Sequence, residues 1–334
     1  MRLLVLGGTR FLGRGVVDAA LAAGDRVTTF TRGVSGAPPD GVEALHGDRS
    51  TPDGMDVLRG REWDAVVDTS GFVPVVVGRG AELLTDAVGH YVFVSSVNAY
   101  PGFPDEPVRD DSPVHDGDPD AGSPDGEFEM EQYGLFKVGS ERAVERHFPG
   151  RSAALRAGLI IGPYDNTGRF PYWVDRMARG GEVLGPPDPD EPVRVIDQRD
   201  LGAWAVEVAR DRVTGAYVAT GPAGQATFGG LLAAMEAGPD TTVTWVPADF
   251  LREHEVAPWT ELPLWADSAA TADLDTTAAE RAGLRTRPVA ESARDVLAWL
   301  RATGQGTPNP RTGRAGLDPD KERRVLAAWH ERQG

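Results

Sequence analysis

The chain contains no cysteine. That excludes disulfides, thiolate nucleophiles and cysteine-ligated zinc together, and it leads us to expect a reducing, cytoplasmic setting. Long apolar runs are missing too: no stretch approaches the roughly 20 residues of a membrane span, so no membrane association is expected. The N-terminus has one Arg before a short apolar run broken by Gly7 and Gly8, which is not a signal-peptide pattern. Histidine is scarce. Residues 46, 90, 115, 147, 254 and 330 show no metal-ligand spacing, so no metal site is expected. Basic charge is outnumbered, and the net charge of -17 repels polyanions, which argues against a nucleic-acid partner. What remains is a chain of 334 residues, long enough to bury a core without covalent staples and to form one large domain or two.

The informative stretch is Leu3 to Gly13, LLVLGGTRFLG. Leu3 to Leu6 read as a short buried strand. Gly7, Gly8 and Gly13 bracket a tight turn, and from Phe11 onward Leu12, Val16, Val17, Ala20 and Leu21 fall at helical spacing. Strand, glycine turn and helix form the unit that sets a diphosphate on a helix N-terminus. A second strand, Arg26 to Phe30, ends at Thr31-Arg32-Gly33. An acidic residue at this place would accept bonds from the adenosine ribose, whereas Arg32 suits a 2′-phosphate. Arg10 adds a second positive charge, so NADP is the expected cofactor, with NAD as the alternative. Asp48, after a third strand at Val42 to Leu45, sits where it can meet the adenine amino group; its other reading is a helix N-cap.

Trp63 to Asp68 is a fourth strand, closed by Thr69, Ser70 and Gly71, a small tip that lets backbone approach a dinucleotide. A helix over Val75 to Val88 leads to a fifth strand, His90 to Ser96. Short apolar strands alternating with helices predict an α/β fold, a doubly wound parallel sheet with ligands at its carboxyl edge. Residues 101 to 128 are rich in Pro, Gly and Asp and read as a long exposed loop, either solvated or used as a lid. Beyond it a helix runs from Tyr133 to His147. Tyr133 and Lys137 are four apart and share a face. An ammonium beside a phenol favours the phenolate, which makes a working acid–base pair.

These residues carry a family resemblance. The turn GGTRFLG at 7–13, GDR at 47–49, VFVSSVNAY at 92–100, YGLFK at 133–137, LRAGLIIGP at 155–163 and DQRDLGAW at 197–204 resemble the extended and atypical short-chain dehydrogenases/reductases, the nucleotide-sugar epimerase/dehydratase superfamily. The resemblance spans about residues 1 to 222. It implies that Tyr133 exchanges the proton of a substrate oxygen, that Lys137 lowers the Tyr133 pKa and holds the nicotinamide ribose, and that Ser96 bonds the same oxygen. It implies cofactor contacts at Gly7, Gly8, Thr9, Arg10, Phe11, Leu12 and Gly13, at Arg32, Asp48 and Arg49, and at Thr69, Ser70 and Gly71. A homodimer paired through the Tyr133 helix is a further implication.

Departures narrow the chemistry. Arg10 replaces the middle glycine of the turn, as in the atypical branch. Val97 and Asn98 stand where dehydratases carry Asp-Glu. Leu159 occupies the place of an epimerase Asn, and Val193 that of an Arg, with Arg194 one residue off register. One residue along a strand turns a side chain to the opposite face.

The dinucleotide domain is expected over 1–162, with sheet returns at about 193–222 that include Val193 to Ile196 and Ala216 to Thr220. The substrate-binding part is expected over 163–192 and 223–300, followed by a linker and helix over 301–334. Asn98, Tyr172, Trp173 and Arg194 are candidate substrate contacts, the second and third from an aromatic cluster that equally suits a packed helix. The function expected is an NAD(P)-dependent oxidoreductase acting on a hydroxyl or carbonyl of a small or medium molecule. The alternatives are a nucleotide-sugar epimerase holding NAD tightly, or a non-catalytic cofactor- or RNA-binding protein of the same fold.

Overall fold

The structure is a computed structural model that describes residues 1–34, 36–123, 129–266, 273–304 and 315–334. Part of the acidic stretch (124–128) and most of the expected linker (305–314) lie outside the described residues. The first elements are β1 (Arg2–Leu6), α1 (Phe11–Ala22), β2 (Arg26–Thr31), β3 (Glu43–His46), β4 (Trp63–Asp68), α2 (Pro74–Leu84) and β5 (Val88–Ser96). Then come α3 (Tyr133–His147), β6 (Ser152–Ala157), β7 (Leu159–Ile161), α4 (Arg169–Arg179), β8 (Glu182–Gly185), β9 (Pro192–Val193) and β10 (Val195–Asp197). The chain continues through α5 (Gln198–Asp211), β11 (Gly215–Ala219), β12 (Ala226–Thr227), α6 (Phe228–Ala233), β13 (Thr242–Trp245) and α7 (Ala248–Glu253). It ends with α8 (Thr277–Arg281), α9 (Val289–Thr303) and α10 (Pro319–Gln333). Among the described residues, no helix is long and apolar enough to cross a membrane.

Two compact units emerge, the first built from Met1–Ile160, Gln198–Ala223 and Asp273–Thr286. Its seven-stranded parallel sheet has the order β11-β6-β5-β4-β1-β2-β3. Leu3, Leu4, Val5 and Leu6 are all buried, as a central parallel strand with both faces covered requires. On one face Leu4, Leu6, Phe30, Trp63, Tyr91, Phe93 and Phe148 form a core. On the other face α1 and α5 cross closely. A Cβ on Gly15 would lie 2.0 Å from the Gln198 Oε1 and 2.5 Å from the Gln198 backbone oxygen, so this crossing excludes any side chain.

The acidic segment is the irregular, mostly exposed stretch expected, and it is also tied down. Over 101–123 it is docked on the first unit. Val108 bridges Leu274, and the Asp110 carboxylate accepts the Val218 N–H of edge strand β11 at 2.7 Å. Arg142 donates to Asp116 and to the Gly117 carbonyl, Arg146 grips Asp120 with two bonds, and Val75 N–H donates to the Ala121 carbonyl. Asp116 and Asp120 stay exposed while pairing with α3. The expected sheet strand at Val193 to Ile196 is corrected. Pro192 has no N–H to give a central ladder, and β9 pairs antiparallel with β12 outside the large sheet. The expected strand over Ser152 to Ile161 is two, β6 and β7, interrupted at Gly158.

The second unit comprises Ile161–Asp197 with the described residues of 224–272 and 287–334. β8 pairs parallel with β13, and Trp173, Phe228 and Trp245 pack edge to face. Arg176 on α4 and Glu322 on α10 form a buried ion pair at 2.8 Å, so the C-terminal helix is part of this unit's core.

The Gly15 contact predicts a substitution pair of opposite sign. Gly15→Val should lower stability by about 1–3 kcal/mol through overpacking. Gly78→Ala, in α2 with its nearest neighbour at an ordinary 3.5 Å, should raise it by about 0.5–1 kcal/mol. Urea unfolding midpoints check both.

Candidate active site

At the end of β1 the backbone turns through Gly7 (φ +113°) and Gly8 (φ +108°), conformations that side chains resist. Phe11, first residue of α1, sits at φ +39°, an uncommon value for an aromatic residue. Arg10 precedes the helix in extended conformation and makes no side-chain cap bond, so the first-turn amides are not capped from the N-cap position. Across the crevice, Thr69 and Ser70 hydroxyls both donate to the Leu6 carbonyl, at 3.1 and 3.2 Å. The tips of β1 and β4 are thereby tied together at the point where strand order reverses, the place where open α/β sheets bind ligands.

β5 supplies the next piece. Ser96 is buried at its end, and its hydroxyl oxygen accepts from the Asn98 N–H at 3.2 Å and the Asn98 side-chain amide at 3.0 Å. With its oxygen engaged twice, the hydroxyl proton is left to donate elsewhere. Helix α3 starts directly against this turn: a Cβ on Gly134 would stand 2.2 Å from the Asn98 carbonyl oxygen. That close approach sets Tyr133 beside the Ser96 turn. One helical turn on, the buried Lys137 Nζ donates to the carbonyls of Gly71 at 2.8 Å and Val94 at 2.7 Å. The ammonium lies 4.6 Å from the Phe93 ring centroid and 5.9 Å from that of Tyr133. Burial pushes the Lys137 amine down to about 8, against the opposing pull of Asp68 and Glu141. The chain has only two lysines, 137 and 321, among 34 basic residues. A compact amine that can shed its proton stands here, where a guanidinium could do neither.

The Arg49 guanidinium, an expected cofactor contact, forms a bidentate pair with Asp68, Nη1 to Oδ1 and Nη2 to Oδ2, both at 2.9 Å. The Tyr91 hydroxyl donates to the same carboxylate at 2.8 Å. Burial works to raise the Asp68 carboxyl, but Arg49 holds it below its usual range. A buried carboxylate demands such a partner, so the charged end of the apolar run WDAVVD was a signal that a cation must fold back onto it. Asp48 accepts from the Ser50 hydroxyl at 2.7 Å and N–H at 2.9 Å, the local turn role. Ser50, with a smaller pull from the exposed Arg32, lowers the Asp48 carboxyl. Ser95 donates to Glu141, which pairs with Arg156 at 2.7 Å, and Arg156 donates to the Tyr100 hydroxyl at 2.8 Å. That internal chain was not legible beforehand.

Of the substrate candidates in the second unit, Trp173 is a core residue and Tyr172 is half-buried beside it. Trp173 is fully buried and donates from its indole to the Pro263 carbonyl at 2.6 Å. Tyr172 packs edge-on to Trp173 with ring centroids 5.0 Å apart, and burial pushes its phenol upward. The short apolar spacing that suggested a pocket is that of a helix packed on its own domain. Arg194 is buried between β9 and β10.

The low Lys137 value has a stability consequence. Its charged form is disfavoured in the folded state, so between about 8 and the ordinary 10.5 the unfolded chain holds a proton that the folded chain has released. Stability contributed by this site therefore rises with pH across that window. Wild type should gain up to about 3 kcal/mol from pH 7.5 to 10.5 relative to Lys137→Met, measured by urea unfolding at each pH.

No protein-family model matches the chain, and no curated protein sequence is significantly similar. Solved structures do match. The enzyme WbmH of Bordetella bronchiseptica, in complex with NAD+, is 17% identical with a TM-score of 0.66, over 91% of this chain and 99% of that one. UDP-glucose 4-epimerase of Thermotoga maritima, solved with UDP-glucose, is 17% identical at TM-score 0.64, over 91% and 100%. UDP-N-acetylglucosamine 4-epimerase of Methanobrevibacter ruminantium is 14% identical at TM-score 0.64, over 90% and 98%. The doubly wound fold expected from the sequence is the fold these proteins share with the chain.

Proposed function

We propose that the chain is an NAD(P)-dependent oxidoreductase of the short-chain dehydrogenase type, acting on a hydroxyl or carbonyl group of a small or medium substrate. The observation that carries this reading is the Lys137 amine. It is buried at the joined tips of β4 and β5, beside the Tyr133 ring, with Ser96 on the turn against which α3 begins.

The residues fit a dinucleotide. A Cβ on Gly7 would collide with Thr69 Oγ1 at 2.4 Å, so side-chain-free backbone lines the crevice, and the α1 N-terminus has no N-cap side chain on its amides. Gly7 to Gly13, Thr69, Ser70 and Gly71 would hold the diphosphate and ribose side. Bound nicotinamide supplies the hydride donor or acceptor. Tyr133 moves the accompanying proton on or off the substrate oxygen. Ser96 donates its free hydroxyl proton to that oxygen and stabilises the charge developing there. Lys137, while protonated, favours the Tyr133 phenolate and has a third N–H for the ribose.

Arg32 favours NADP, because an exposed guanidinium at the end of β2 can grip a 2′-phosphate. NAD is the second cofactor reading. It is favoured by the Asp48 carboxylate within electrostatic reach of Arg32, and NAD is the dinucleotide named with the WbmH structure. Nucleotide-sugar epimerisation is the second reaction reading, supported by the fold likeness over nine-tenths of the chain. Leu159 and Val193, where an epimerase Asn and Arg are expected, favour the simpler oxidoreductase. The acidic charge and the complete Ser96, Tyr133 and Lys137 set oppose a non-catalytic RNA-binding role.

Tyr133→Phe should keep dinucleotide affinity, followed by nicotinamide fluorescence, and lose at least ~100-fold in turnover on whichever substrate a metabolite screen yields. Full activity in that variant would remove Tyr133 as the proton carrier. Arg32→Asp should weaken NADP binding far more than NAD binding in parallel titrations, and equal losses would remove the basis for preferring NADP.

A further inference from the structure

We propose that the buried Arg49–Asp68–Tyr91 unit is the platform beneath Lys137: Asp68 is the counter-charge that balances the amine, and Arg49 trims it. This role for Asp68 deepens the oxidoreductase reading and rests on it for its catalytic meaning. Its geometry stands independently.

Asp68 closes β4, paired in register with Leu6 of β1 and Phe93 of β5. It is fully buried, and its oxygens accept from Arg49 twice, from Tyr91, and from the Ser70 N–H at 3.0 Å. The Ser70 bond holds the peptide leading to Gly71, whose carbonyl seats the Lys137 amine. Gly71 lies directly on the carboxylate: a Cβ there would be 3.2 Å from Asp68 Oδ2 and 2.5 Å from the Phe93 ring. Phe93 in turn lies under the ammonium. Carboxylate, strand tip, aromatic ring and amine are therefore one contiguous stack. Asp68 is a positioning residue, because it acts through the Gly71 carbonyl and through space.

The charge balance gives each member a sign. The groups acting on the amine are Asp68 from β4, Glu141 from α3 and Arg49 from the segment after β3, with the Tyr133 ring beside it on α3. Glu141 is itself committed to Arg156 of β6 and Ser95 of β5. Asp68 favours the charged amine and Arg49 opposes it. Burial is the largest influence and disfavours the charged amine; Asp68 opposes it, and Arg49, the smallest of the four, returns part of that attraction while keeping the carboxylate ionised. Tyr91 donates a neutral hydrogen bond that spreads the carboxylate charge, a weaker adjustment in the same direction as Arg49.

Two lysines make the test direct. Protein labelled with 13C at the lysine ε-carbon gives one signal for Lys137 and one for Lys321, so the Lys137 titration is read by NMR with no substrate present. Asp68→Asn, which keeps the side chain's size and removes its charge, should lower the midpoint by about one pH unit. Generic loosening moves it the other way, because water reaching the amine relieves the desolvation that holds it down. Tyr91→Phe, which removes only a hydroxyl, should raise it by ~0.3 pH unit or more at an unchanged urea unfolding midpoint, and it decides the matter if Asp68→Asn does not fold. A raised or unmoved midpoint in Asp68→Asn, or an unmoved one in Tyr91→Phe, overturns the platform. The alkaline limb of the pH–rate profile separates this result from the parent reading. If the Lys137 midpoint moves and the limb does not follow, the platform stands and the catalytic assignment of Lys137 fails.

Discussion

Two hydrogen bonds from Lys137, to the carbonyls of Gly71 and Val94, join helix α3 to the ends of two neighbouring strands. Other features of the candidate site take their positions from that junction. It seats Tyr133 one turn earlier, at the point where Gly134 lets α3 rest on the turn after Ser96. It also holds the Gly71 tip against the crevice lined by the glycine turn. A buried amine satisfied by carbonyls is a costly arrangement, since desolvation penalises its charged form. The fold meets that cost by surrounding the amine with an aromatic face and a carboxylate rather than by opening it to water.

The same logic recurs across the first unit. Charges taken inside are paired at once: Arg49 with Asp68, and Arg156 with Glu141. Buried pairs of this kind contribute little net stability compared with apolar packing, but breaking one leaves an uncompensated charge. They act as registers. Each joins successive segments of the chain, and each has a member within a few residues of a strand tip at the carboxyl edge. The acidic segment over 101–123 uses exposed pairs instead, to Arg142 and Arg146, and these are worth less individually.

The parts legible in the sequence are those whose physics is local. The glycine turn after β1 is readable because a positive φ and a close backbone approach demand glycine at fixed offsets. Tyr133 and Lys137 are readable because four residues bring side chains to one helical face. The strands were legible as short apolar runs. Pairings between distant residues were not. Nothing near Arg49 shows that it will turn inward to Asp68 rather than outward to a ligand, and nothing near Asp116 or Asp120 shows that two arginines on α3 await them. Trp173 illustrates the remaining ambiguity, for an aromatic on an amphipathic helix has the same spacing whether it lines a pocket or fills a core. Val193 was misassigned because a short apolar run does not reveal which ladder it will join.

The near-absence of lysine has a practical consequence. Arginine covers the surface, and one of only two ammonium side chains is enclosed at the heart of the candidate site. A protease specific for lysine therefore has one target sealed inside the folded chain, on α3, and one on the C-terminal helix. Scission after residue 137 would report each excursion in which α3 lifts from the strand tips, a clock for local opening that the native sequence carries without any introduced label.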